Sequence, residues 1–204
     1  FSIINPNRFD HTNIYKNLAA VGVTYLFILS LRKYLRNKNF FTSKNIKEPN
    51  LLNYLDLVAL GTICDVVHLS NYNRAFVKKG LEIIHKRKNI GIKHIIDNSI
   101  KNHSPTVSDL GFIIGPQLNA ASRIDDSSLP SKILTSNNII EVESISKKLL
   151  LLNEKRKLIE NSIYNECLKQ LTTQLNNNII IVKGKNWHKG VLGIVAGKLV
   201  NKFN

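Results

Sequence analysis

"LLNYLDLVALGTICDVV", residues 51–67, is the stretch on which the reading of the fold turns. It is too long for one strand and apolar on most sides, so it predicts a buried helix from Leu51 to about Cys64 with Asp65 at or just past its end. Asp65 stands among apolar or small neighbours. Burying a lone carboxylate costs several kcal/mol, in order of magnitude, unless a cation or strong donors hold it. A carboxylate is also disfavoured at the negative end of a helix. Two readings stay open: an acid turned to solvent or bonded to nearby amides, or an acid that binds a divalent metal ion. Asp56, earlier in the same stretch, need not share its face.

Outward from this helix the pattern alternates between helices and loops. "SIINP", residues 2–6, is a short β-branched run stopped by Asn-Pro, a strand leaving into a loop. From Tyr15 to Leu35, Leu18, Val21, Tyr25, Ile28, Leu29 and Leu35 recur at helical spacing, and Arg32, Lys33 and Arg36 suit the C-terminal dipole. Short amphipathic helices are predicted over Asn73–His85 and Gly91–Asn98. "SPTVSDLGFIIGPQLNAASRIDD", residues 104–126, opens on a Ser or Thr cap and runs through Gly111, Gly115 and Pro116 into a mixed polar loop. Two further helices follow, Asn138–Leu152 and Asn153–Leu175. "NNNIIIVKG", residues 176–184, reads as a buried strand, and "WHKGVLGIVAGKLV", residues 187–200, as a loop entering a helix. Helices between parallel-type strands indicate an α/β fold, with linker helices near 138–175 dividing two lobes.

Composition narrows the class. The chain has 204 residues and 43 % hydrophobic content, enough for a sizeable core. No apolar run reaches the roughly 18 residues that span a bilayer, so no membrane partner is expected. The start has neither Met nor a signal-peptide pattern, and the end lacks a closing signal, which reads as an internal piece of a longer protein. Cys64 and Cys167 show no metal-ligand or disulfide-framework spacing, and a reducing cytoplasm is the simplest setting. Lys and Arg number 29 against 14 Asp and Glu, a net charge of +15 that points to a polyanion such as nucleic acid. The competing reading is an AT-rich coding bias that raises Lys everywhere.

Two more stretches carry chemistry. In "GPQLNAASRIDD", residues 115–126, Asn119, Ser122 and Arg123 sit beside small residues that let a ligand approach, and the Arg123 fork suits phosphate. Asp125 or Asp126 could orient it, and a capped loop with a surface ion pair is the structural alternative. In "WHKGVLGIVAGK", residues 187–198, a Gly-containing loop enters a helix whose free amides suit a phosphate. Trp187 could stack on a base or fill the core. Gly193 and Gly197 share a helical face on which another backbone could pack.

Taken in order, "LDLVALGTICDVVHL", "NRAFVKKGL", "SDLGFIIGPQLNAASRIDD" and "WHKGVLGIVAGKL" resemble the motifs of the RecJ family of single-strand-specific exonucleases in the DHH phosphoesterase superfamily. "INP" and "YKNLAAVGV" near the start extend the likeness over nearly the whole chain. The resemblance implies the C-terminal part of a DHH catalytic domain over 1–137, connecting helices over 138–175, and the start of a DHHA1 α/β domain over 176–204, with the active site in the cleft between lobes. It assigns Asp65 as a metal ligand, while the remaining acids and the DHH triplet of the family lie upstream of the matching region. It further implies Asn119, Ser122 and Arg123 at the scissile or adjacent phosphate, and Trp187, His188, Lys189, Gly190, Gly197 and Lys198 at the DNA end, with Asp65, Arg123 and His188 in catalytic roles.

The implied activity is 5′-to-3′ hydrolysis of single-stranded DNA in repair and recombination, by two Mn²⁺ or Mg²⁺ ions whose site these residues only partly supply. A single-strand-binding protein and a helicase are further implied partners. Against the family pattern, a Gly is replaced by Ser122, a Pro by His68, and a Ser-Arg pair by Gly197 and Lys198. Lys keeps the charge without the fork, so weaker or less end-selective phosphate binding is expected. Two alternatives are another DHH phosphoesterase, a nanoRNase or pyrophosphatase, and a nucleic-acid-binding module without activity. The chain alone is expected to be inactive.

Overall fold

The computed structural model describes residues 3–10, 14–100, 102–171 and 179–203. They form two compact units, Phe1–Gly115 and Pro116–Asn204.

In the first unit residues 51–64 are helical and residues 65–67 leave the helix in a turn. A 3₁₀ turn, Leu51–Tyr54, starts the helical run, and Asn50 accepts the Leu52 amide as its cap. Helix α3 follows over Leu55–Cys64, with Asp65 as its C-cap. Before it come α1 (Ala20–Asn37) and the short α2 (Phe40–Ser43); after it come α4 (Asn71–His85) and α5 (Ile90–Ser99). Helix α1 begins later than the apolar spacing predicts, because residues 14–17 form a turn in which the Leu18 amide donates to the Tyr15 carbonyl.

One core cluster of this unit is Tyr25, Leu51, Leu55, Val58 and Ile83, with Val21, Leu29 and Phe76 packed against them. Full burial of side chains of this size is worth about 2 kcal/mol each. The Tyr25 hydroxyl donates to the Leu51 carbonyl, so its polar end is satisfied inside the core. Helices α3 and α4 touch almost backbone to backbone: a Cβ on Gly80 would come 2.1 Å from the Leu55 carbonyl oxygen and 2.4 Å from the Ala59 Cβ. Asn73, 1 % exposed, donates to the carbonyls of Asn17 and His68 and ties the ends of two loops to the start of α4.

Of the two acids in residues 51–67, Asp56 is the buried one and Asp65 is exposed. Asp56 is 4 % exposed in the first turn of α3, and its Oδ1 accepts the Leu57 amide at 2.7 Å. Burial pushes its pKa up and that amide opposes the shift. A helix N-terminus favours a carboxylate, which is why an acid is tolerated there.

Three expectations are corrected. No strand forms among the described residues, so they are helical rather than α/β. "SIINP" and "NNNIIIVKG" have no neighbouring strand to take up their amides, and Ile3, Ile179 and Ile181 stand 82 %, 74 % and 71 % exposed. Ser2 and residues 176–178 of those two stretches lie outside the described residues. Next, the mixed polar loop is helical: α6 (Val107–Asp109), a π-helical turn (Leu110–Ile114) and α7 (Gly115–Ile124) run on without a break. Its expected cap is present, a capping box of Thr106 and Asp109. Last, the two helices expected over 138–175 are one, α9 (Ile139–Leu171); residues 172–175 lie outside the description.

In the second unit α8 (Leu129–Thr135) and α10 (Lys189–Phe203) pack on α9. Ile163 and Cys167 of α9 and Val191 and Val195 of α10 form its buried seam, closed by Ile124, Ile159, Trp187 and Leu199. No helix of the described residues is long and apolar enough to cross a membrane.

Candidate functional site

The candidate residues fall in both units. In the first, the Asp65 amide donates to the Gly61 carbonyl, closing α3, while its side chain is exposed and has no partner among the described residues. Val66 then turns the chain with φ 54°, a left-handed conformation strained for a β-branched residue. This turn leaves Asp65 on the wall of a groove of about 510 Å³ lined by Asn5, Pro6, Ala20, Val23, Thr24 and Phe27 among others. The opening "INP" segment and α1 thus share a groove with Asp65. Beside it, burial and then the Asp65 charge push the Cys64 thiol up to about 11, which keeps it protonated. Among the described residues no group of three or more His, Cys, Asp or Glu could hold a metal ion. Asp65 is an accessible oxygen donor and not a metal centre by itself.

In the second unit the helical state of α7 decides the geometry. Asn119, Ser122 and Arg123 lie at i, i+3 and i+4, so they form one exposed stripe, while Leu118, Ala120 and Ala121 face the interior. The Ser122 hydroxyl donates to the Asn119 carbonyl at 3.0 Å. Arg123 is held by α10, since its Nη1 donates to the Gly190 carbonyl at 3.2 Å. Neither nearby acid orients it: Asp125 pairs with Lys148 at 2.8 Å, and Asp126 accepts the amide and hydroxyl of Ser128.

The entry of α10 lies against the same arginine. A Cβ on Gly190 would come 2.1 Å from the Arg123 carbonyl oxygen, so glycine is what allows the two backbones to meet. His188 Nδ1 accepts the Gly190 amide at 3.2 Å, which caps the helix and leaves the proton of the neutral ring on Nε2. Lys189 is exposed and has no partner among the described residues. Trp187 is committed elsewhere: it packs on the seam, its Nε1 donates to Glu166 at 2.8 Å, and Gly184 lies against its ring. Around Gly193 and Gly197 no other group lies within 4 Å of where a Cβ would stand. Arg123, His188, Lys189 and Gly190 thus come together, while Gly197 and Lys198 lie further along α10.

Sequence reading missed Glu160 and Arg156. Glu160 is 4 % exposed and ion-paired with both Arg156 and Lys198. The spacing of Arg156 and Glu160 on one helix was a signal for the pair; its burial was not legible.

No protein-family model matches the chain. Along its full length it is 40 % identical to the single-stranded-DNA-specific exonuclease RecJ of Salmonella typhimurium, of which it spans 36 %. It is 31 % identical over 99 % of its length to RecJ of Bacillus subtilis, of which it spans 24 %. A crystal structure of exonuclease RecJ bound to manganese matches 80 % of the chain with a TM-score of 0.69 and 28 % identity, through 41 % of its own length. RecJ of Thermus thermophilus in complex with Mg²⁺ matches 80 % of it with a TM-score of 0.68 and 28 % identity, through 26 % of its own length. The chain is homologous throughout to the RecJ single-stranded-DNA-specific exonucleases, and it corresponds to about a third of the length of the enterobacterial relative.

Proposed function

We propose that this chain is part of a RecJ-type enzyme that hydrolyses the phosphodiesters of single-stranded DNA, working from the 5′ end with Mn²⁺ or Mg²⁺. The observation that carries the phosphate-binding part is Arg123: one guanidinium nitrogen is fixed on Gly190, and the rest of the fork is open on an exposed helical stripe with Asn119 and Ser122. An arginine held this way loses little freedom on binding and presents paired donors to a phosphate. His188 Nε2–H and Lys189 would add donors at the same helix entry, and Gly197 and Lys198 would extend contact along α10. Trp187 would support this loop through packing. Residues 1–137 and 176–204 would correspond to DHH and DHHA1 portions, joined through α9.

Asp65 would be one oxygen ligand of the divalent ions, which when bound would generate the attacking hydroxide and stabilise the leaving oxygen. Such a site needs more donors than the described residues supply. The proposal therefore requires ligands from outside them, and the chain's share of its relatives' length leaves room for those. Within the chain, Arg123 would neutralise charge growing on the phosphoryl group.

The test uses labelled single-stranded DNA and Mn²⁺. The 204-residue chain should bind without turnover. Sustained metal-dependent cleavage by it would overturn the claim that essential ligands lie elsewhere. In the whole protein, Asp65→Asn should abolish cleavage and spare DNA binding. Near-normal turnover at saturating Mn²⁺ would remove Asp65 from the metal site.

A further inference from the structure

Glu160 is a buried carboxylate in the middle of α9 that the phosphate-binding stripe does not use. Its Oε2 accepts from Arg156 Nη1 at 2.5 Å, and its Oε1 pairs with Lys198 Nζ of α10. The two cations are not equivalent. Arg156 is only 12 % exposed and is held a second time, its Nε donating to Asn153 Oδ1 at 3.1 Å. The Lys198 side chain is 49 % exposed, and its ammonium lies 6.0 Å from the centre of the Tyr164 ring. Lys202 lies 5.8 Å from the same ring, so the outer side of this cluster is cationic.

We propose that Glu160 is a built-in competitor that occupies Lys198 and withholds it from DNA phosphate, lowering affinity for single strands. This rests on the reading of α10 as a DNA-contacting helix. The physical argument lies in the asymmetry of the pair. A buried carboxylate stripped of its only cation is strongly destabilising. Glu160 avoids that state, because Arg156 remains bonded to it when Lys198 leaves. Lysine suits the exchange, being a flexible point charge rather than a fixed fork. Each phosphate that Lys198 reaches must be won from Glu160, so this cation contributes less to binding than an unpaired lysine such as Lys189.

The test is a thermodynamic cycle read by the anisotropy of labelled oligothymidylate in chelator, across a salt series. It compares the 204-residue chain with Glu160→Gln, Lys198→Ala and the double variant. Glu160→Gln should tighten binding and steepen the slope of log affinity against log salt by about 0.7, the increment for one more phosphate contact on a single strand. Lys198→Ala should cost more affinity in the Glu160→Gln background than in the unaltered chain. Equal losses in both backgrounds, or a Glu160→Gln chain that melts normally yet binds no tighter, would overturn the competitor role while leaving DNA binding by α10 intact. If Glu160→Gln does not fold, Glu160→Asp draws the carboxylate back by one methylene and should give an intermediate gain; no gain overturns the proposal. If the unaltered chain and every variant fail to bind, the reading of α10 falls, and the competitor with it.

Discussion

Arg123 and Gly190 meet across 67 positions of sequence: the guanidinium donates to the glycine carbonyl, and the arginine's own carbonyl lies where a Cβ on residue 190 would stand. The contact joins the end of α7 to the start of α10 and fixes the direction of the one arginine that both the sequence pattern and the exposed stripe single out.

Gly190→Ala should therefore do two things. Relieving a 2.1 Å clash with backbone requires α10 to shift, with a loss of about 1–3 kcal/mol in denaturant unfolding. The shift also breaks the Arg123 contact, so DNA affinity should fall even where the variant is folded. An alanine variant with unchanged stability and affinity would show that the two backbones do not need this approach.

Asp65→Asn is expected to leave stability unchanged or raise it by about 0.5 kcal/mol, since an exposed carboxylate at the C-terminus of α3 opposes the helix dipole and has no partner among the described residues. Thermal unfolding checks this. A marked loss of stability would mean that Asp65 holds the fold and would weaken its reading as a residue kept for a ligand.

Cys64 should resist alkylation at pH 8, because its thiol is pushed up to about 11 by burial first and the Asp65 charge second. The rate should climb only as pH approaches that value. Because the folded pKa exceeds the unfolded one, this thiol costs the fold nothing at neutral pH. It removes stability as pH rises from about 9 in the unfolded chain to about 11 in the folded one. Rapid alkylation of Cys64 at pH 8 would contradict the packing between α3 and the π-helical turn.

Thr106→Ala should cost about 1 kcal/mol, the usual worth of a lost helix cap. Desolvation raises the Asp109 pKa, but the Thr106 hydroxyl and amide that donate to it outweigh burial and hold it below the usual value. Its stabilisation is thus present above the ordinary carboxylate pKa and is lost as pH falls through the lowered one. In Thr106→Ala the acid-side loss of stability should shrink. An unchanged acid limb would exclude the capping box as its source.

Residues 51–64 were legible as a buried helix because an apolar run of that length with few breaks is too long for one strand and too short to span a membrane, and Asp65 was legible as its end. The stripe of Asn119, Ser122 and Arg123 was named correctly as a group, yet read as a loop, since Gly111, Gly115 and Pro116 signal a turn locally. The π-helical turn takes in Gly111; Gly115 and Pro116 continue directly from it as the first residues of α7, and Gly115 lets the chain pass Cys64, whose sulfur a Cβ there would approach to 2.6 Å. The short apolar runs failed as strands because a strand is defined by a partner.

By itself the sequence determined most of the helices, the cap before Val107, the positive charge and the family motifs, which depend on composition or on neighbours a few residues apart. Only the tertiary structure decided which charges are free. Asp56 and Asp65 belong to one stretch, but one is enclosed by the core and the other faces a groove. Lys189 and Lys198 lie on one helix, but a buried glutamate from α9 claims the second alone. Burial and pairing depend on what packs opposite, and local sequence carries no record of that.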